Sequence, residues 1–238
     1  EAAHAAESQP PRVPFLIGSH RGHQGRLASG ATAPLATAAP VPPDEPGVRC
    51  IETAISDPQV ALPMAAQGLA DARAYVDRKA EARFLRCEGY AREQLGDTGK
   101  ALALYGSAVA AAQLAGDDRV LAEALVSRGE MRHFNGDYGD AIFDLTRAYE
   151  LNDGVGDAIG TSYALNAIAN LYADANVGEY DKAIDYYRQA LERHRRAGNR
   201  GEMATTLFNI GSTQERKGDF AAALVNYHKL DAKNLDRL

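Results

Sequence analysis

The chain has 238 residues, with 26 basic against 32 acidic side chains for a formal net charge of −6, no tryptophan, and much of its apolar content supplied by alanine. That length gives ample material for one large domain or two small ones, and alanine-rich composition favours closely packed helices. The acidic balance and scattered basic residues argue against a nucleic-acid surface, and no apolar run approaches the roughly 20 residues that a bilayer-spanning helix needs.

Residues 1–46 are a different material from the rest. The stretches "ESQPPRVP" and "GSHRGHQGRLASGATAPLATAAPVPPDEPG" are dense in Pro, Gly, Ala and Ser with little periodic pattern. Such a segment cannot offset its ordering entropy by burial, so a flexible leader is expected. Its "VPFLIG" is too short for a signal-peptide core. His4, His20 and His23 lie in this leader and do not make a defined metal site. The leader's composition suits a segment beyond a removed signal peptide or membrane anchor, which favours the periplasm; the alternative is the cytoplasm.

From 47 to 238 one superhelical domain is expected. "SDPQVALPMAAQGLADARAYVD" has the pattern of a second helix, with Asp57 as N-cap and Pro58 at the first helical position, and it closes a partial unit over 47–76. Full units follow at 77–116, 117–156, 157–198 and 199–238. Turn glycines Gly96, Gly136, Gly178 and Gly218 are separated by 40, 42 and 40 residues, and a second ladder, Gly116, Gly156 and Gly198, keeps the same steps. Each unit is two helices. The first ends at a glycine able to turn left-handed, and an acidic residue follows at Asp97, Asp137, Glu179 or Asp219, able to cap or flank the next helix. Within "GEYDKAIDYYRQALERHRRAG", Tyr180, Ala183, Ile184, Tyr187, Ala190 and Leu191 form one apolar stripe.

Other glycine-rich stretches carry no chemistry of their own. "GDTGKA" at Gly96–Ala101 lacks the first glycine and the final Ser or Thr of a phosphate loop, and "GVGDAIG" at Gly154–Gly160 follows a helix instead of a strand. Glu130 and His133 make one Glu-x-x-His pair, where a di-iron bundle needs two and further carboxylates. Neither a catalytic constellation, a metal nor a cofactor is expected. Cys50 and Cys87 are the only cysteines. Either both are small core residues or they form a bridge between the first helices of adjacent units, which requires an oxidising compartment.

The columns of large and small residues resemble the tetratricopeptide repeat. Leu85, Leu125, Leu165 and Leu207 fill its large position and Gly89, Gly129, Ala169 and Gly211 its small one. In the second helix Ala101, Ala141, Ala183 and Ala223 are followed by Tyr105, Leu145, Tyr187 and Tyr227. Ala108, Ala148 and Ala190 come next, with Leu230 breaking that column. The units are longer than the common 34 residues and lack the usual closing proline. The resemblance implies an all-α, right-handed α-solenoid of stacked hairpins. "ATTLFNIGSTQERKGDFAAALVNYHK" and "LNAIANLYADANVGEYDKAIDYYRQAL" further resemble the sensory repeats of bacterial membrane-anchored diguanylate cyclases, although no GGDEF sequence occurs here.

The resemblance also implies a concave groove, lined by the first helices, that binds a peptide or a protein segment. Counting from the Leu and Gly columns, its inward positions are Arg83, Arg86 and Tyr90; Glu123, Glu130, His133 and Phe134; Tyr163, Asn166, Asn170 and Asp174; and Thr205, Phe208 and Ser212. Asparagines could bond a peptide backbone, aromatics could anchor side chains, and Arg83 with Arg86 could hold a carboxylate. The expected role is the sensory region of a signalling protein whose output domain lies outside this chain; the alternative is a free-standing adaptor or peptide receptor. Apolar surface on the last helix points to a homodimer contact or a continuation of the chain, and membrane contact would come only through parts outside it.

Overall fold

A computed structural model describes residues 46–230. The leader lies outside the described residues, except that its last residue, Pro46, opens a helix. In chain order the helices are α1 (Pro46–Ser56), α2 (Pro58–Ala74), α3 (Arg78–Gln94), α4 (Thr98–Ala115), α5 (Asp118–Phe134), α6 (Tyr138–Gly154), α7 (Ala158–Ala173), α8 (Tyr180–Arg196), α9 (Arg200–Lys217) and α10 (Phe220–His228). Among the described residues there is no strand.

Why the chain breaks where it does is a matter of two residue types. Seven glycines, 96, 116, 136, 156, 178, 198 and 218, have positive φ, the region that side chains with a Cβ resist. Val76 occupies the equivalent turn with φ 58°, a strained place for a β-branched residue. Next to the turns, the side chains of Asp57, Asp77, Asp97, Asp117, Asp157, Asn199 and Asp219 accept backbone N–H groups of the helices they open. Asp137 and Glu179 hold the same place without a side-chain cap bond, so there they only flank the helix.

Packing within each hairpin follows the small and large columns. A Cβ placed on Gly89 would stand 2.7 Å from the Tyr105 ring, on Gly129 2.8 Å from Leu145, and on Gly211 2.6 Å from the Tyr227 ring. The large side chain of one helix therefore lies directly on the bare backbone of the other, which only a residue without a Cβ permits. Gly68 does the same between hairpins, against Phe84.

Successive first helices, α1, α3, α5, α7 and α9, touch one another, whereas the second helices α4, α6, α8 and α10 make no comparable contact. The row that closes up is the inside of a curve, so the first helices form the concave face of an α-solenoid. At its start Cys50 of α1 and Cys87 of α3 are joined by a disulfide, with Cα atoms 5.8 Å apart and both side chains fully buried. α1 is thereby fixed to the first helix of the next hairpin.

Candidate functional site

On α3, Arg83 does not line an open groove. It is 1% exposed and packs its methylenes where a Cβ on Gly47 would fall, and burial pushes its guanidinium pKa down against the pull of Glu123. Arg86 does hold a carboxylate, but an internal one: it pairs with Glu123 of α5 and its Nε donates to Ser127 Oγ at 3.2 Å. The two arginines read as a clamp for a ligand carboxylate are thus consumed by packing and by the α3–α5 contact.

At the far end of the same two helices the charge is negative. Tyr105 donates to Glu93 Oε2 at 2.8 Å, and Tyr90 is half-buried beside Glu93 and Glu130, its phenol raised by burial and by both carboxylates. Glu130 is exposed at its side chain and lies near Glu93 and Arg86. Desolvation, then the Glu93 charge, raise its carboxyl to about 7, with Arg86 opposing. Phe134, four residues further along α5, is 45% exposed.

His133 and Asp174 are joined across hairpins, Nε2 to Oδ2 at 3.2 Å. Asp174 also accepts from Tyr138 Oη at 3.3 Å and from the Asn176 N–H at 2.8 Å, and Asn176 donates to Tyr138 at 2.9 Å. Burial works to raise the Asp174 carboxyl, but the Asn176 N–H, His133 and Tyr138 outweigh it and hold it low. These bonds pin the turn between α7 and α8, where the two extra residues of the third unit reside. Arg216 of α9 adds a bond to the Ala173 carbonyl at 3.1 Å.

Between α7 and its neighbours α8 and α9 the polar contacts are hydrogen bonds, without an ion pair among the described residues. Asn166 lies 3.3 Å from His194 Nε2 through its amide nitrogen and accepts from Thr206 Oγ1 at 3.4 Å. Asn170 accepts the Tyr187 hydroxyl. Tyr163 donates to Glu202 at 3.3 Å and meets the His194 ring edge-on, and its phenol is pushed well up by burial and Glu202. His194 is 2% exposed, and burial lowers it to about 4. Both asparagines read as peptide-backbone clamps are therefore engaged within the chain. Thr205 bonds its own helix at the Gly201 carbonyl, and Ser212 is half-buried; Phe208 is 52% exposed and tilted against Tyr227.

Among the described residues no group of three or more His, Cys, Asp and Glu side chains is placed to hold a metal ion. The residue that sequence reasoning missed is His194. Amid "ERHRRAG" it looks solvated, yet it continues the stripe of Ile184, Tyr187 and Ala190 at helical spacing. Complementary polar residues about one repeat apart were a second unread signal, for Arg86 and Glu123 are separated by 37 residues and Asn166 and Thr206 by 40.

Residues 160–229 match the tetratricopeptide repeat family. BtubC (BKLC) from P. vanneervenii is similar in structure, with TM-score 0.64 and 21% identity over 76% of this chain and 75% of that one. So are the kinesin light chain TPR-like repeats of Podosopora anserina, with TM-score 0.62 and 12% identity over 81% and 94% of the two chains. A Rap protein complexed with competence and sporulation factor gives TM-score 0.57 and 15% identity over 80% and 62%. At these identities the likeness is one of fold: an all-α solenoid of tetratricopeptide-like hairpins. No curated protein matches the chain. Tetratricopeptide repeats are in general protein-binding modules.

Proposed function

We propose that the chain binds a peptide or protein segment in its concave groove and is the sensory region of a larger bacterial signalling protein of the diguanylate cyclase type. The observation that carries the binding reading is that Phe134 and Phe208, 45% and 52% exposed, present aromatic surface on the inner row of helices, where a segment lying in the groove could seat its apolar side chains. The structure of a Rap protein with its factor is a case of a similar fold holding a ligand. The signalling role rests on the sequence resemblance of α7–α10 to cyclase sensor repeats. A buried disulfide favours an oxidising compartment such as the periplasm.

Binding would act through curvature. A segment that touches α5 and α9 together favours one spacing of the hairpins over others and biases whatever is attached. Site-specific photocrosslinking in the native host tests the binding reading. A crosslinker at Ser212 in the groove should capture a protein or peptide that the same group at Phe143, on α6 and 70% exposed, does not. Equal capture at both positions removes the groove from the account. The signalling reading is tested on the natural full-length product, where a cyclase should convert GTP with a rate that groove variants alter; no turnover of GTP rejects it.

A further inference from the structure

The groove's cations and its excess anions are unequally committed. Arg86 is neutralised by Glu123, and Arg83 is buried. Glu130 is exposed, and among the described residues neither an ion pair nor a hydrogen bond occupies its carboxylate. Tyr90 of α3 lies beside it, and Phe134 presents an exposed ring one helical turn further along α5.

Spacing turns this into a pattern. Residues four apart on a helix are separated by about 6 Å along its axis. Alternate residues of an extended strand, which point the same way, are about 7 Å apart. One side chain of an extended segment can therefore meet Glu130 and Tyr90 while the next but one covers Phe134. The first position asks for a cation, which would pair with the carboxylate and lie against the ring. The second asks for a large apolar side chain.

We propose that the α3–α5 part of the groove selects an extended segment in which a Lys or Arg stands two residues from a large apolar residue. This rests on the peptide-binding reading and names the ligand's chemistry. It also sets a pH dependence. A bound cation favours the ionised form of Glu130, whose carboxyl is raised to about 7, so affinity falls as pH drops through that value.

Panning a display library of random peptides of about 12 residues against the protein tests it, with Ser212→Arg as a groove-blocked control and the enriched sequences resynthesised for titration. The expected peptides carry the basic-x-apolar pattern, bind about tenfold more weakly to Glu130→Gln and to Phe134→Ala, and lose their pH dependence between 8 and 6 in Glu130→Gln. The fold disfavours the charged form of Glu130, so this variant should melt no lower than the parent, and weaker binding in it then reports the lost charge and not unfolding. Groove-dependent peptides without a basic residue, or binding indifferent to Glu130→Gln, overturn the proposal and leave the peptide reading standing. Absence of any peptide sensitive to Ser212→Arg overturns both.

Discussion

Where α3 meets α5 the hairpins are joined by charge, Arg86 to Glu123, and behind them α1 is bound covalently through Cys50 and Cys87. Where α7 meets α9 no ion pair joins them among the described residues: Asn166 bonds Thr206, Tyr163 bonds Glu202 and the Ala173 carbonyl accepts from Arg216, around the buried imidazole of His194 on α8. The backbone is the same stack of hairpins in both places. What differs is the condition under which each joint fails: the first by reduction or salt, the second by acid.

The largest way to break that contrast is to remove the disulfide. The bridge closes a loop of 37 residues, and chain-entropy arguments assign such a loop about 4 kcal/mol. Cys50→Ala with Cys87→Ala should lose a stability of that order in urea titrations, with amide exchange accelerating in α1 and α3 ahead of α9. Uniform acceleration along the chain would dissolve the distinction.

Acid should strike the other end. His194 has a usual value of 6.5 and is lowered to about 4 in the fold, so the unfolded chain takes up a proton that the folded one refuses. Its neutral packing is fully retained above about 6.5 and is lost as pH falls toward 4, a change on the order of 3 kcal/mol. Exchange measured at pH 7 and pH 4.5 should show α7–α9 opening first, and His194→Gln should flatten the difference.

Arg86→Ala leaves Glu123 half-buried without its partner and should cost about 1–2 kcal/mol. Raising salt should weaken the parent protein and leave this variant nearly unchanged, as read from melting temperature. The smallest effect has the opposite sign. Val76→Gly replaces a β-branched residue at φ 58° with the residue that the seven sister turns use, and should stabilise by about 1 kcal/mol. A lower melting temperature would show that Val76 is held there by something other than the turn.

The fold was legible because it repeats. Glycine is demanded by each left-handed turn and a small residue by each backbone contact, so the Gly96 and Gly89 columns announce themselves without knowledge of any neighbour. The groove was less legible, since the fate of a polar side chain depends on what faces it one unit away. Arg83, Arg86, Asn166 and Asn170 were rightly assigned to the first helices, but composition could not show that Gly47, Glu123, His194 and Tyr187 would claim them. Glu130 and Phe134 remained exposed for the converse reason. The leader and its histidines lie outside the described residues, so that expectation stands where the sequence left it.

The caps at Asp117 and Asp157 begin helices at matching points of consecutive units, so the backbone alone would allow the stretch 117–156 to be cut out and Gly116 joined to Asp157. The side chains would not. With a unit of 40 residues removed, Arg86 would face Tyr163 where Glu123 had been and Ala167 where Ser127 had been. The hairpins are interchangeable as scaffolding, but the polar pairs between them act as addresses, and they write the order of the units into the groove itself.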